Sequence, residues 1–516
     1  MKRATLIVAF LLTTLHGSLH AQTNPEKLQK DGNYREAFNG FRKRLETSKS
    51  SEPAKDLDLG IQCLQSLNQL QDADVFLEEN IQRYALDWKV LAKAATLYSQ
   101  IPHHGVILDS VFVRGNHRGG GTYINAQERD RVRSMQLVVQ TMTRIPQNAD
   151  VESLGSFYSE AANRLQNTRA AWQLQILTDL SSLPDLDDGR YGYHGGSGQG
   201  APVQPDGSPV LYEKPTSWET SKNDGERWRY LLGKASSTDP SQAGSAAMRY
   251  AQFLQQQFGV HTMRQRFGDW FDREDQTENV WSLHTLKETE TLCQLVTGSK
   301  RITLPDDANH LKWLQRIATE TQFKSHAEQA SDQLPRIYAN RRQFPQAARA
   351  WKASISKFGE GRDNWRRKQV EQIEQAWGKF DGTLGFPAGK PASLGFVYRN
   401  GTKVTLRAFE VKTEALLKSV KDFLRKNPSD SNREEVRLNR IGYQLISESW
   451  MKYVGKEVAR WEETLTPKSN HWDTRADIET PLTKAGGYLV RATMADGHES
   501  NIVVWLHDTA IVKKPL

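Results

Sequence analysis

The spacing of apolar residues changes near residue 395 of this 516-residue chain, and this change constrains the fold most strongly. Before that point apolar residues recur every three or four positions, which is typical of amphipathic helices. After it the segments VTLRAFEV and GGYLVRATM alternate apolar and polar residues, as strands with one buried face do. We therefore predict a multidomain α-then-β chain, with helices followed by an antiparallel β-sandwich. Helical insertions are expected in the sandwich near residues 414–426 and 433–453.

Two clusters of glycine and proline divide the chain. The first separates two helical regions, and the second separates the helices from the β region. GRYGYHGGSGQG and the prolines after it indicate an exposed linker, and a second cluster precedes the change of spacing. The predicted organisation is a signal peptide (1–21), a helical repeat-like region (22–184), a linker (185–217), a second helical region (218–377), a linker (378–393) and a β-sandwich (394–516).

The N-terminus has the pattern of a secretory signal. Lys2 and Arg3 precede an apolar stretch at residues 4–15, and a small residue, Ala21, offers a cleavage point. The alternative is a buried first helix. A signal predicts a periplasmic or secreted protein, which is a poor candidate for a nucleic-acid binder. No later stretch reaches 18 apolar residues, so we expect no transmembrane segment after signal removal.

The positive charge is not gathered in one block, and the cysteine content excludes a disulfide-rich fold. Lys and Arg exceed Asp and Glu by 69 − 61 = 8, and the excess is spread along the chain. Two cysteines do not form a disulfide framework. Cys63 and Cys293 lie in runs that look helical, so we expect two buried thiols, with a single bridge as the alternative.

Two helical segments share an aromatic–Ala–aromatic pattern in which the small residue lets a neighbouring helix approach closely. The pattern comprises Tyr34, Ala37 and Phe41 in the first segment and Phe344, Ala347 and Trp351 in the second. It resembles the second helix of a tetratricopeptide repeat. The resemblance implies an α-solenoid, although a generic helical bundle produces the same stripes.

The β-rich end carries a more specific series of residues. An aromatic-Arg-Asn turn opens it, a PL…GGYLV strand follows, and a DG…S…VVW…D hairpin closes it. The matching positions are Tyr398, Arg399, Asn400, Pro481, Leu482, Gly486, Tyr488, Leu489, Asp496, Gly497, Ser500, Val503, Val504, Trp505 and Asp508. WxxTLTP at 461–467 and HWD at 471–473 lie between them. This series resembles the first macroglobulin-type domains of bacterial alpha-2-macroglobulin-like proteins, which also resemble the upstream helices more weakly.

That family traps proteases through a cleavable bait segment, and many members carry a thioester made from Cys-Gly-x-Gln. Here Cys63 is followed by Leu-Gln-Ser and Cys293 by Gln-Leu-Val, so neither can form it. The bait and later domains have no counterpart. The resemblance therefore implies a truncated member or the leading piece of a split one.

We find no sequence pattern for a catalytic, cofactor or metal site. HExxH, CxxC and a nucleophile elbow have no match, so we expect no enzymatic activity and no cofactor. The most distinctive polar segment is RGNHRGGG, in which Arg114, His117 and Arg118 precede a glycine run and a basic helix. These residues are a candidate site for an anion or an acidic partner. In the alternative, the arginines pair with acids on nearby helices.

Three functions remain open from sequence. The first is a non-catalytic N-terminal segment of an exported alpha-2-macroglobulin-like protease inhibitor that acts through protein–protein contact. The second is a self-standing tetratricopeptide-type scaffold that binds exported proteins, and the third is a hydrolase with an unrecognised site. The expected partners are proteins, either proteases or envelope proteins.

Overall fold

The computed structural model describes residues 24–166, 171–186, 200–258, 280–382, 385–426, 441–446 and 448–509. The predicted signal peptide at 1–21 lies outside these residues. Helices dominate the first three quarters of the described chain and antiparallel sheets dominate the last, so the protein is a multidomain helix-then-β fold. The chain divides into unit 1, Met1–Gly259 with Cys293–Ser299, and unit 2, Val260–Leu292 with Lys300–Leu516.

Unit 1 contains nine of the helices that the structure describes and a three-stranded sheet. The helices are α1 (Pro25–Lys30), α2 (Tyr34–Glu46), α3 (Pro53–Ser66), α4 (Ala73–Arg83), α5 (Trp88–Tyr98), α6 (Gln127–Met142), α7 (Val151–Gln166), α8 (Asp224–Thr238) and α9 (Ala243–Gln256). Helices α2 and α3 pack together, as do α5 with α6 and α7 with α8. Ala37 and Phe41 are fully buried on α2, and Tyr34 is half-buried.

The sheet of unit 1 lies in a region that the sequence predicted to be helical. Its strands are β1 (His104–Leu108), β2 (Val111–Arg114) and β3 (Thr122–Asn125), with β1 in the centre and both pairings antiparallel. The hairpin between β1 and β2 turns at Asp109 and Ser110, which both have positive φ, as a two-residue type I′ hairpin requires. Asp-Ser is a weak turn signal, so the sequence does not predict this hairpin.

A two-stranded sheet also replaces predicted helix around the second cysteine. Strands β4 (Glu290–Leu295) and β5 (Gly298–Thr303) pair with each other. Cys293 therefore lies in a strand, because a short apolar run fits a buried strand as well as a helix. Part of the predicted 185–217 linker is packed as well. Residues 187–199 lie outside the described residues, but Ala201 bridges Leu295 and Tyr212 is buried against Phe253.

Four successive helices of unit 2 pack pairwise in chain order. They are α10 (His310–Thr319), α11 (Ala327–Asn340), α12 (Phe344–Phe358) and α13 (Trp365–Glu374). Ala347 and Trp351 are buried on α12, Phe344 is half-buried, and the Trp351 ring meets Trp365 edge-on at 5.3 Å. The aromatic–Ala–aromatic stripe is thus a packing face.

Two sheets follow α13 in unit 2. Their strands are β6 (Trp377–Phe380), β7 (Gly385–Pro387), β8 (Ser393–Arg399), β9 (Lys403–Val411), β10 (Val454–Thr464), β11 (Thr474–Glu479), β12 (Gly486–Met494) and β13 (Glu499–His507). One sheet has the order β10-β9-β12-β13-β7 and the other β11-β8-β6. All pairings are antiparallel except that of β13 with β7.

Side chains at alternate positions along the strands point to opposite faces of the sheet and pack into two separate cores. Val490, Ala492 and Met494 join residues of the other sheet in the main core, whereas Leu489 faces the opposite side. That side is covered by the inserted helix α14 (Thr413–Arg425), and the short α15 (Ile441–Gln444) follows it. Residues 433–440 and 447 of the second predicted insertion lie outside the described residues.

The predicted linker 378–393 contributes two strands to the β region. Strand β6 pairs with β8 through most of its length, and Ala392 is fully buried. Gly378 marks a close approach, because a Cβ there would lie 2.3 Å from the Phe396 ring. Glycine in this segment therefore allows packing, whereas the sequence reading took it as a sign of an exposed loop.

Candidate functional site

Arg114, the first predicted anion ligand, is buried at the end of β2. Its side chain is 2% exposed, and it lies between two acidic side chains. Asp74 of α4 accepts from Nε and Nη2, and Asp130 of α6 accepts from Nη1 and Nη2 at 2.7–2.8 Å. Nη1 also donates to the carbonyl of Pro102 at 2.8 Å.

This arrangement uses all five N–H groups that a guanidinium carries. Burial lowers the pKa of Arg114, but the hydrogen bonds to Asp130 and Asp74 outweigh it and the pKa is raised. Arg114 is therefore a fully paired cation that ties the β-sheet to two helices. It has no N–H left for an anion, and its pairing with helix acids is the alternative that the sequence had left open.

His117 and Arg118 lie apart from that cluster, on the exposed loop between β2 and β3. The loop begins at Gly115, whose positive φ brings the backbone against the Leu70 side chain. Tyr123, on the strand after the loop, stacks on His104 at 6.2 Å. Of the three predicted residues, only His117 and Arg118 are therefore displayed to solvent.

Three polar residues of the β-domain series converge on one short segment, Ile373 to Phe380. Asn400 Nδ2 donates to the carbonyls of Ile373 and Gln375 at 2.7 and 3.0 Å. Asn400 has φ +58, a left-handed conformation that Asn tolerates better than most residues. This geometry turns the chain after β8 and aims the amide at the end of α13.

The closing hairpin supplies the other two contacts. Asp496 Oδ2 accepts from the backbone N–H of Ala376 at 2.8 Å, and Ser500 Oγ accepts from that of Phe380 at 3.2 Å. We call residues 373–380 with Asn400, Asp496 and Ser500 the junction. It joins α13 to the first strand of the β region, β6, through side-chain bonds to backbone atoms.

The HWD sequence at 471–473 supports the junction from the other side. His471 Nδ1 lies 2.9 Å from Asn400 Oδ1, and Asp473 forms an ion pair with Arg399 at 2.8 Å. Between them, Trp472 packs its ring against the rings of His284 and Phe344, at 4.9 and 6.2 Å. The loop thereby connects the β region to the start of α12.

These partners could not be identified from sequence. Asp74 and Asp130 lie 40 and 16 positions from Arg114, and Trp472 lies more than 120 positions from Phe344. The only sequence signal was the grouping of Asn400, Asp496 and Ser500 in one series, which marked them as a set without showing what they contact.

The described residues offer little reactive chemistry. Cys63 and Cys293 are free and buried, and burial raises the pKa of the Cys63 thiol to about 11. Among the described residues, no three His, Cys, Asp or Glu side chains are grouped so that they could hold a metal ion. A search of the same residues for a helix long and apolar enough to cross a membrane finds none.

Comparisons with known proteins return only remote structural matches. No protein-family model matches the chain, and no curated protein matches it. A crystal structure of Escherichia coli alpha-2-macroglobulin spanning domains MG0-NIE-MG1 aligns at 20% identity with a TM-score of 0.18, covering 28% of this chain and 42% of that one. A second crystal structure, of domains NIE-MG1, aligns at 19% identity and a TM-score of 0.17, over 26% of this chain and 61% of that chain. The chain therefore spans less than two thirds of either structure, and TM-scores this low do not establish a shared fold.

Proposed function

We propose that this chain is a non-catalytic N-terminal segment of an exported alpha-2-macroglobulin-like protease inhibitor and that it acts through protein–protein contact. The observation that carries the proposal is the junction. Asn400, Asp496 and Ser500 belong to the residue series that resembles macroglobulin-type domains, and all three bind one backbone segment. A shared structural task explains why such residues occur together in the series.

The contacts of the junction fix the position of the 373–380 backbone and are not arranged for catalysis. Both polar atoms of the Asn400 amide are engaged, with Ile373 and Gln375 on one side and His471 on the other. Asp496 and Ser500 each accept from a backbone N–H, which is a partner that fixes position and transfers no proton. The proposed role of the β region is therefore to present the preceding helices to a partner.

The exposed loop of unit 1 is the proposed contact site for an acidic or anionic partner. Since Arg114 fixes the start of the loop, His117 and Arg118 are displayed from an anchored base. A positive side chain on such a base steers an oppositely charged surface and loses less freedom on binding.

The first test asks whether the chain inhibits proteases by itself. The purified chain would be incubated with trypsin, elastase and a metalloprotease, followed by cleavage of a large protein substrate and denaturing gels. We expect neither protection nor a covalent conjugate, because Cys63 and Cys293 are not followed by the Gly-x-Gln that a thioester needs. Stoichiometric protection of the large substrate would contradict the proposal.

The second test identifies the partner. A photo-reactive amino acid would replace Arg118 in the full tagged chain, expressed with its signal, with the exposed Lys49 of unit 1 as the control position. We expect cross-linking at 118 and not at 49 to a protein that carries macroglobulin domains with a bait and a thioester. Equal labelling at both positions would remove the loop from the proposal.

The second candidate function is a self-standing tetratricopeptide-type scaffold for exported proteins. The pairwise packing of α10 to α13, with Ala347 and Trp351 buried at the packing face, favours it. The cross-linking experiment separates the two functions, because a scaffold would capture an exported protein that has no macroglobulin domains.

A further inference from the structure

A small cavity in unit 1 is lined by two arginines and a histidine. It lies between the end of α5, the start of β1 and helices α6 and α7, and its volume is about 10 Å³, enough for the centre of one water-sized particle. The residues that line it are Ser99, His103, Gln127, Arg131, Ser134, Met135 and Arg164. This lining set of described residues itself includes no carboxylate, but acidic partners lie just outside it: Asp130 for His103, Glu128 and Asp224 for Arg131, and Glu160 for Arg164.

The α6 residues of the cavity lie on one face of that helix. Gln127, Arg131, Ser134 and Met135 follow each other at spacings of four, three and one, so they form one stripe along α6. Arg131 is held in place on this stripe. It donates to Glu128 at 2.7 Å and to Thr178 at 2.7 Å, which fixes its guanidinium at the cavity wall.

Arg164 reaches the cavity from α7 with part of its guanidinium unpaired. Its side chain is 9% exposed, and Nη1 donates to Thr96 Oγ1 at 2.8 Å and to Glu160 at 3.3 Å. Nε and Nη2 are buried and find no hydrogen-bond acceptor among the described residues. Arg114 makes the contrast clear, since its guanidinium in the same unit has every N–H satisfied.

A buried guanidinium with two nitrogens that lack an acceptor is costly, because the interior solvates a positive charge and its N–H groups poorly. Burial lowers the pKa of Arg164, and the Glu160 carboxylate opposes this only in part, since it lies at the solvent side and is 58% exposed. A neutral water would accept a hydrogen bond from Arg164 but would supply no compensating charge. A single small anion would do both.

We propose that this cavity binds one small monovalent inorganic anion of the size of chloride, held by Nε and Nη2 of Arg164 with Arg131 as the second positive charge. The small volume of the cavity favours a halide over larger anions such as sulfate and organic carboxylates. The bound anion completes the contact between α6 and α7, so occupancy stabilises unit 1 in a halide-dependent way.

The experiment compares thermal unfolding of the full chain in sodium chloride and in sodium gluconate at equal ionic strength, so that general screening is the same. At a chloride concentration tenfold above Kd, binding linkage predicts a rise in Tm of about 3–6 °C over gluconate. Arg164→Met keeps the aliphatic bulk without the charge, and we expect it to lose this difference. Arg42→Met, at an exposed arginine of α2, is the matched control and should keep it.

Equal stabilisation by both salts would overturn the proposal, as would an Arg164→Met protein that retains the full chloride response. If that variant does not fold, crystals of the natural chain soaked in sodium bromide give the answer. An anomalous bromide peak within hydrogen-bonding distance of Arg164 Nε or Nη2 supports the site. A cavity that holds only water in such crystals overturns it.

Discussion

Two turns of similar sequence, one in each unit, use their arginine and asparagine side chains differently. Arg114-Gly115-Asn116 ends β2, and Arg399-Asn400-Gly401 ends β8. In the first, the arginine is buried between two carboxylates and Asn116 is exposed. In the second, the asparagine binds the neighbouring segment, while Arg399 lies over the Trp377 ring and pairs with Asp473.

The difference shows that the surroundings decide which side chain of such a turn is used. The first turn lies against two acidic side chains, which pair with its arginine, whereas the second lies against the backbone carbonyls of Ile373 and Gln375, which accept from its neutral asparagine amide. A buried charge that loses its partner is left in a poor solvent, whereas a lost neutral hydrogen bond costs much less. We call Arg114 with Asp74 and Asp130 the charged anchor, and Asn400 with its bonds to Ile373 and Gln375 the neutral anchor. Substitution should therefore cost more stability at the charged anchor than at the neutral one.

The largest effect is expected at the charged anchor. Asp130→Ala leaves Arg114 buried with one carboxylate fewer and also removes the partner of His103. We expect a loss of about 3–5 kcal/mol in the stability of unit 1. Hydrogen exchange of peptides covering 104–125 during urea denaturation would measure it for that region alone.

The control for this variant is Glu46→Ala, which breaks an exposed ion pair with Arg42 on α2. Its expected cost is below about 1 kcal/mol, as for surface pairs in general. If Asp130→Ala cost no more than this control, the Arg114 cluster would not be an anchor and the comparison between the two turns would fail.

A smaller effect is expected at the neutral anchor. Asn400→Ala loses the bonds to Ile373 and Gln375 and places Ala in a left-handed conformation, at an expected cost of about 2–3 kcal/mol to the β region. Asn400→Gly removes the same bonds without the backbone penalty, so it should cost about 1 kcal/mol less. Chemical denaturation of both variants measures the difference, and identical losses would show that the amide bonds alone set the cost.

The hairpin side of the junction should be weaker still. Asp496→Ala leaves the Ala376 N–H without its acceptor, and we expect a loss of about 1–2 kcal/mol. Asp496→Asn keeps an acceptor oxygen at the same place and should recover most of that loss. Exchange of the Ala376 amide reports on this bond directly, and an unchanged exchange rate in Asp496→Ala would remove it from the junction.

The smallest effect on stability is expected at His117 and Arg118, the two exposed residues that follow the first turn. Replacing both His117 and Arg118 with Ala should change the stability of unit 1 by less than about 0.5 kcal/mol, since both are exposed. The same double variant should lose binding of an acidic partner, measured by its salt-dependent association rate. A stability loss comparable to that of Asp130→Ala would mean that the loop is part of the core.

The sequence predicted a helical region followed by a β region because periodicity reports on burial within one element. It therefore placed Trp351 and Ala347 on a packed face correctly. It could not predict β1 to β3 or β4 and β5, because short apolar runs such as HGVIL and ETLCQL satisfy both periods. It also interpreted Gly378 as part of a linker, since the ring of Phe396 that requires a glycine there is placed by tertiary structure.

The candidate site was predictable only as a set of residues. RGNHRGGG stood out by composition, but whether Arg114 faces solvent depends on Asp74 and Asp130, which other helices bring to it. Arg164 gave no sequence signal at all, because an arginine near the end of a helix is ordinary and its lack of acceptors is a property of the packed interior.

The junction also has a mechanical consequence. A chain segment between two structural elements bends when its backbone dihedral angles are free to change, and such segments serve as hinges. Here the backbone from Ile373 to Phe380 is held at four points by the side chains of Asn400, Asp496 and Ser500. The 471–473 loop contacts Asn400 through His471 and the neighbouring Arg399 through Asp473. A torque applied to α13 would therefore pass directly into β6 and β8. A force that rotates α13 would rotate the β region with it.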